Sequence, residues 1–354
     1  MRQRIEWIDI VKGICIILVV ISHISGIPLI GKYLFAPYVT VFYYLSGMVY
    51  RKKNHTLFQR SYRRSKKLLG SYIKYGIIVT MILCIIELFH GTLTSKSFFN
   101  FLVGLVYSRH SIYIDGVPLL TDVNSTFWFI TSLVTSSIYF ELLLAWENKL
   151  NKYILILGSL FISICMSRIP ILLPWSIDTA PFGGLLMYLG YKTNINKISK
   201  NIVVFESCTI LRILMLLMSY IVLCEVNSES NFSVRNYGKL PFGWNCIVFF
   251  IITIIGIYLY ILMARFIESH RIISKILMYI GRNTLHILCL HLLLIRIYYD
   301  ILSFWSISLK GIVYWISVVI CLFVSIVIPL LYGEIEQLCK EKANGSLNVI
   351  SSKK

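Results

Sequence analysis

The sequence has few charged residues and even fewer acidic ones. Only 14% of its 354 residues are charged, with 16 acidic against 34 basic side chains. A soluble domain normally carries about 25% charged residues, so the composition excludes an ordinary soluble protein. The nine cysteines show no Cys-x-x-Cys spacing, and most lie inside apolar runs. We therefore expect neither a zinc or other metal site nor a disulfide framework.

Apolar residues dominate the sequence. They make up 57% of the chain, the mean hydropathy is +0.77, and apolar runs of spanning length recur from end to end. This predicts an all-α, polytopic integral membrane protein. The net charge of +18 could suggest nucleic acid, but Lys and Arg lie in short loops between apolar runs. That distribution is typical of membrane topology, so the expected partner is the lipid bilayer and not nucleic acid. The sequence does not indicate an oligomeric state.

The apolar runs predict about ten transmembrane helices in one membrane-embedded domain, residues 1–332, followed by a short cytoplasmic tail, 333–354. The fifth and sixth runs are short and flanked by prolines, and a further segment, 97–108, is too short to span comfortably. The predicted spans are 9–28, 34–50, 69–89, 126–146, 153–168, 178–191, 203–224, 242–264, 276–298 and 311–332.

Charge distribution orients these spans. Ten spans put both termini on one side of the membrane. With the N-terminus in the cytoplasm, 22 basic residues fall in inside segments and eight in outside segments. The excess of Lys and Arg on the cytoplasmic side supports this orientation. We expect a multi-pass protein of the cell (inner or plasma) membrane with both termini cytoplasmic.

The first span carries an unusual set of ionisable residues. Asp9, Lys12 and His23 lie near one face of this helix, with Lys12 and His23 roughly 16 Å apart along it. Ionisable groups in membrane helices are rare and usually line a functional interior. A histidine near the outer end suits acid–base catalysis, and Asp9 and Lys12 can form an i,i+3 pair at the cytoplasmic end. The alternative for His23 is an interhelical hydrogen bond.

Several motifs along the chain resemble those of the acyltransferase 3 family of integral membrane acyltransferases, specifically its small stand-alone, fucose O-acetylase-like members. The opening motif reads Arg-x-x-Trp-Ile-Asp-x-x-Lys-Gly-Ile with a later histidine. The matching segments are Arg4 to Ile14 with His23, Phe42 to Gly47, Phe127 to Phe129, Pro181 to Gly190, and Ile280 to Leu285 with His291. The family commonly has Arg at the position of Lys12. Its basic Arg-x-x-Arg signature could correspond here to Arg60 and Arg63, which sit four residues early, or to Arg64 and Lys67.

The resemblance implies transfer of an acyl group, commonly acetyl, from cytoplasmic acyl-CoA to a sugar hydroxyl of a cell-surface glycan or its lipid-linked precursor. Acetyl-CoA is then the donor. His23 is the expected catalytic residue, as general base or transient acyl acceptor. The expected CoA-binding residues are Lys12, Arg60, Arg63, Arg64 and Lys67. The alternative for the basic run is a positive-inside loop that touches anionic lipid.

Four further residues complete the candidate site. His291 is predicted to lie at a depth similar to that of His23, and could be a second base, an acceptor ligand or a packed polar residue. Asp9, Trp128 and Glu87 are candidate substrate-binding residues, although Trp128 also fits an interfacial anchor. A polysaccharide exporter on the same scaffold is the alternative function, and acyl relay to a partner protein is a third.

Overall fold

The chain folds almost entirely as helices. The computed structural model describes residues 5–24, 33, 37–52, 54–109, 112–114, 117–118, 125–193, 207–307 and 310–351. A helix satisfies its own backbone hydrogen bonds, which suits apolar surroundings. The α-helices are α1 (Glu6–Ile24), α2 (Thr40–Met48), α3 (Leu57–Phe89), α4 (Ser95–Tyr107), α5 (Trp128–Trp146), α6 (Lys152–Ser167), α7 (Ala180–Lys192), α8 (Ser207–Val226), α9 (Trp244–Glu268), α10 (Arg271–Arg282), α11 (Thr284–Phe304) and α12 (Gly311–Ser351).

Short elements join some of these helices. Three 3-10 turns lie at Ser125–Phe127, Pro174–Thr179 and Phe232–Val234. A two-residue strand, Tyr113–Ile114 (β1), pairs antiparallel with Val117–Pro118 (β2). The sequence does not predict this strand pair. It lies in the connection between α4 and α5.

Within the described ranges, six helices are long and apolar enough to cross a membrane. They are α1, α3, α5, α9, α11 and α12 as far as Cys339. By contrast, α2 has nine residues and α7 has 13, which gives lengths of about 14 and 20 Å. Both are shorter than the roughly 30 Å apolar core of a bilayer. The ten apolar runs thus locate helices correctly, but a count of about ten spans is not confirmed.

The predicted ninth span, 276–298, is broken. Helix α10 ends at Arg282 and α11 begins at Thr284, with Asn283 between them. The Asn283 side chain donates to the Tyr279 carbonyl (3.0 Å), and its own carbonyl accepts from the His286 amide (3.1 Å). One asparagine therefore hydrogen-bonds the end of α10 and the start of α11. An amide side chain that bonds nearby backbone groups competes with the helix ladder, which accounts for the break.

Glycines allow two helix pairs to pack backbone against backbone. A methyl group on Gly47 of α2 would lie 1.8 Å from the Met187 carbonyl oxygen of α7, and one on Gly190 would lie 2.0 Å from the Tyr44 carbonyl oxygen. Helices α1 and α10 meet in the same way at Gly13 and Gly281. Small residues permit such close approach where helices associate by packing.

The last helix extends past the predicted boundary at Tyr332. Helix α12 continues to Ser351, through Pro329. Its Glu336 pairs with Lys74 of α3, and its Glu334 accepts a hydrogen bond from the Tyr279 hydroxyl (2.6 Å). The first part of the predicted tail is thus helical and docked on the bundle.

Candidate active site

Two histidines from different helices face each other. The ring centroids of His23 in α1 and His291 in α11 are 5.4 Å apart, with the ring planes inclined at 48°. His291 is fully buried, whereas His23 is exposed. The sequence analysis predicts a similar depth for the two rings. The structure adds their lateral contact.

A glycine contact explains how the histidines meet. Gly13 packs on the backbone of Leu277, and Gly281 packs on the backbone of Asp9. Each histidine follows its glycine by ten residues, from Gly13 to His23 and from Gly281 to His291. At this contact Asp9 pairs with Gly281 and Gly13 with Leu277, so the residues of α1 and α10 are matched in opposite order. From Gly281 the chain continues through Asn283 into α11, which carries His291 to His23. The close contact therefore holds α10 against α1, and α11 then places the His291 ring next to that of His23.

The hydrogen bond of His291 fixes which ring nitrogen is free. Its Nδ1 lies 2.8 Å from the Ile287 carbonyl oxygen. A carbonyl only accepts, so Nδ1 carries the hydrogen, and in the neutral ring Nε2 holds the lone pair. Nε2 is buried and has no hydrogen-bond partner among the described residues. One turn earlier, the Thr126 hydroxyl donates to the Leu288 carbonyl (3.2 Å) and ties the start of α5 to α11.

A charged cluster lies where the N-terminal part of α1 meets the C-terminal end of α10. The buried Asp9 carboxylate lies 2.9 Å from Lys12 Nζ and 3.5 Å from Arg282 Nε. The Lys12 and Arg282 side chains are 28% and 45% exposed. One carboxylate therefore holds two partly exposed cations, which leaves a local positive charge. The predicted Asp9–Lys12 contact is present. Arg282 was not predicted as a site residue because its contact depends on the packing of α10 on α1.

The predicted CoA-binding residues of α3 divide into two kinds. Arg60 Nε lies 2.7 Å from a carboxylate oxygen of Glu141 in α5, and its Nη1 donates to the His55 carbonyl (2.5 Å). Arg64 donates to the Ser46 hydroxyl (2.5 Å) and lies over the ring of Tyr50, 5.3 Å from its centroid. These two guanidinium groups tie α3 to α2 and α5.

The other two predicted CoA-binding residues, Arg63 and Lys67, have exposed side chains. Arg63 contacts the half-buried ring of His55 (2.7 Å). Nearby, the Tyr50 hydroxyl donates to Glu141 (2.5 Å), and burial together with this carboxylate raises the pKa of Tyr50. Glu141 therefore accepts from both Arg60 and Tyr50. Only Arg63 and Lys67 of the predicted group remain open to a ligand from solution.

The candidate substrate residues lie apart from one another. Trp128 is the first residue of α5. Its ring packs on Phe129 and Phe232, with ring centroids 5.8 and 6.3 Å away. Trp128 is two residues after Thr126, which bonds the His291 helix. Glu87 lies at the far end of α3, and its Oε2 is buried without a hydrogen-bond partner in the described part of the chain. No described contact joins Glu87 to either histidine.

A buried ion network was missed by the sequence analysis. Arg109 Nη2 lies 3.1 Å from both carboxylate oxygens of Asp178, and Arg235 Nε lies 2.9 Å from Asp178 Oδ2. Arg109 is fully buried and Arg235 is 6% exposed. Topology had placed both arginines in outside loops, where charges are usually solvated. Arg109 lies 69 positions before Asp178, and Arg235 lies 57 positions after it. No sequence signal pairs residues this far apart.

The fold and the histidine pair define a helical membrane protein in which a buried imidazole faces an exposed one. The model of the acyltransferase 3 family, described as an acyltransferase domain, matches residues 5–334. The chain belongs to this family, and membership implies membrane acyltransferase activity. No curated protein and no solved structure matches the chain.

Proposed function

We propose that this acyltransferase is an O-acetyltransferase. It moves the acetyl group of cytoplasmic acetyl-CoA to a hydroxyl of a cell-surface polysaccharide or its lipid-linked precursor. The single observation that carries the proposal is the His23–His291 pair, with ring centroids 5.4 Å apart. Transfer to a hydroxyl needs a base near the proton, and imidazole titrates near working pH.

The exposed ring is the better candidate for the reacting base. In the proposed reaction, the oxygen of the acceptor hydroxyl attacks the thioester carbonyl carbon while His23 takes the proton of that hydroxyl. The carbon–sulfur bond then breaks, and the proton passes to the CoA thiolate. In the covalent variant an imidazole nitrogen of His23 attacks the thioester carbonyl carbon, and the carbon–sulfur bond breaks to release the CoA thiolate. The acceptor hydroxyl then attacks the acetyl-imidazole, the nitrogen–carbon bond breaks, and the hydroxyl proton passes to the thiolate.

The buried ring of His291 supports this reaction as a hydrogen-bond acceptor. The free Nε2 lone pair of His291 can accept a hydrogen bond from the acceptor hydroxyl or from a protonated His23. The bond from Nδ1 to Ile287 holds this orientation. Such a fixed tautomer is what a second base or an acceptor ligand requires.

The donor is proposed to reach His23 from the other end of α1. Lys12 and Arg282 would meet the CoA phosphates, since cationic groups bind phosphate through charge-assisted hydrogen bonds. The exposed Arg63 and Lys67 would attract the donor from solution. The thioester would then extend along α1 over the roughly 16 Å between Lys12 and His23. Asp9 positions both cations in this proposal. Trp128 is the candidate for stacking on the acceptor sugar, whereas Glu87 has no assigned contact with that sugar.

Mass spectrometry of surface polysaccharide from wild-type and deletion cells tests the proposal. We expect the deletion strain to export polymer of normal length that lacks one acetyl group per repeat. Restoring the wild-type chain should restore the acetyl mass. Accumulation of unexported polymer inside the cell, with its acetylation intact, would contradict the proposal and favour the exporter alternative.

A further inference from the structure

The network of Arg109, Asp178 and Arg235 contains more positive than negative charge. Two guanidinium groups share one carboxylate, and the exposed fractions of all three residues are at most 6%. The Asp178 carboxylate also binds the backbone, because its Oδ2 accepts a hydrogen bond from the Leu173 amide (3.1 Å). A buried charge without a counter-charge is costly. This imbalance calls for a source of negative charge.

Among the described residues, the surroundings offset the charge of Arg235 more than that of Arg109. Its guanidinium donates to the carbonyls of Met166 (2.5 Å), Ile169 (2.9 Å) and Ile171 (3.2 Å), at the C-terminal end of α6. A helix C-terminus carries roughly half a negative charge. Arg109 receives less, because beyond the shared carboxylate its only described acceptor is the Ser176 hydroxyl (2.6 Å). The excess charge therefore lies on the Arg109 side.

Two buried donors near this excess have no partner. Arg109 Nε and the Tyr237 hydroxyl are both fully buried and make no hydrogen bond in the described part of the chain. Burial raises the pKa of Tyr237 well above its usual value, with a further contribution from Asp178 that the two arginines oppose. The phenol therefore stays protonated at neutral pH and cannot supply the missing negative charge. It can donate a hydrogen bond to an anion.

The backbone around the network is held in an unusual conformation. Trp175 and Ser176 both have φ of 55°, and Arg235 has φ of 60°. Side chains rarely adopt this left-handed region, and such residues cluster at ligand sites. The Thr135 hydroxyl donates to the Trp175 carbonyl (3.3 Å), which holds the turn against α5. The position of the Ser176 hydroxyl next to Arg109 is thus fixed by the fold.

We propose that the Arg109 side of this network, with the Tyr237 hydroxyl, binds a small monovalent anion such as a halide or a carboxylate. The site is separate from the histidine pair and does not depend on the proposed acetyl transfer. An anion there would balance the charge and accept from the two free donors. Filling it would join the segments that carry Arg109, Asp178 and Tyr237.

Thermal unfolding of the purified full-length protein tests the site. Midpoints are compared in sodium bromide, sodium acetate and sodium gluconate at equal ionic strength, with gluconate as the bulky reference anion. Because a ligand that binds only the folded state stabilises it, we expect a saturable rise of about 2 °C or more in bromide. A rise in acetate alone supports a carboxylate ligand. Equal midpoints in all three salts overturn the proposal.

Two arginine variants separate the site from general salt effects. Arg109→Gln should abolish the bromide response, whereas Arg168→Gln, which changes an exposed arginine next to α6, should keep it. A bromide response that survives in Arg109→Gln overturns the proposal. If Arg109→Gln does not fold, bromide line broadening in ⁸¹Br NMR of the wild-type protein gives the answer. We expect broadening that acetate displaces, and no broadening would contradict the site.

Discussion

The contact between Gly13 and Gly281 should control catalysis from a distance. A methyl group at residue 281 would lie 1.8 Å from the Asp9 carbonyl oxygen, whereas real contacts of this kind are not shorter than 3.0 Å. In Gly281→Ala, helices α1 and α10 must therefore separate by about 1.2 Å at this point. Helix α11, which carries His291, directly follows α10, and α1 carries His23. We therefore expect the separation of the two rings to change by a comparable amount.

The expected loss follows from this displacement. A misplacement of about 1 Å at a reacting group can cost roughly 100-fold in rate. We expect Gly281→Ala to lower acetyl transfer by about that factor, with a stability loss of about 1–3 kcal/mol from overpacking. The assay is incorporation of labelled acetyl groups from acetyl-CoA into surface polysaccharide by isolated membranes, normalised to protein abundance.

Gly158→Ala is the matched control, because a methyl group there would have no neighbour within 4 Å. Its activity should stay within about twofold of wild type, since a helical Gly→Ala change with open space around the added methyl group is neutral or slightly stabilising. Wild-type rates in Gly281→Ala at normal abundance would refute the idea that this contact sets the histidine geometry.

Three other substitutions separate donor binding from folding. Lys12→Ala should raise KM for acetyl-CoA by about 10-fold with kcat nearly unchanged, because one charge-assisted phosphate contact is lost. Steady-state kinetics in membranes measure both constants, and a lowered kcat alone would contradict the role of Lys12. Glu141→Gln should destabilise the protein by about 3 kcal/mol because it leaves the buried Arg60 without its carboxylate, seen as a lower unfolding midpoint in detergent. Arg63→Ala should leave that midpoint unchanged and raise KM for acetyl-CoA, and a large drop in its midpoint would show a structural role instead.

Much of the helical architecture is predictable from the apolar runs. Each predicted span overlaps a helix because a run of apolar residues must satisfy its backbone internally. The number of crossings is not predictable in the same way. An apolar run such as 34–50 can contain a nine-residue helix, Thr40–Met48, that is buried among its neighbours and need not reach both faces of a membrane. Asn283 breaks another run through a side-chain hydrogen bond that hydropathy does not register.

The candidate site is predictable along a helix but not between helices. The spacing from Asp9 to Lys12 gives their contact directly, because both lie on one helix turn. The contact of His23 with His291 needs the packing of α1 on α10–α11, which depends on two glycines far apart in the sequence. The burial of Arg60 on Glu141 likewise depends on tertiary packing. Such contacts follow from the fold, and one sequence does not reveal them.

Acetyl transfer by membranes that carry His23→Ala tests the central claim most directly. Loss of a general base typically costs 10²- to 10⁴-fold, so we expect incorporation to fall by about 100-fold or more at normal protein abundance. His270→Ala, which changes an exposed histidine after α9, should retain wild-type transfer. Acetyl incorporation at the wild-type rate in His23→Ala would contradict the assignment of this ring as base or acyl acceptor.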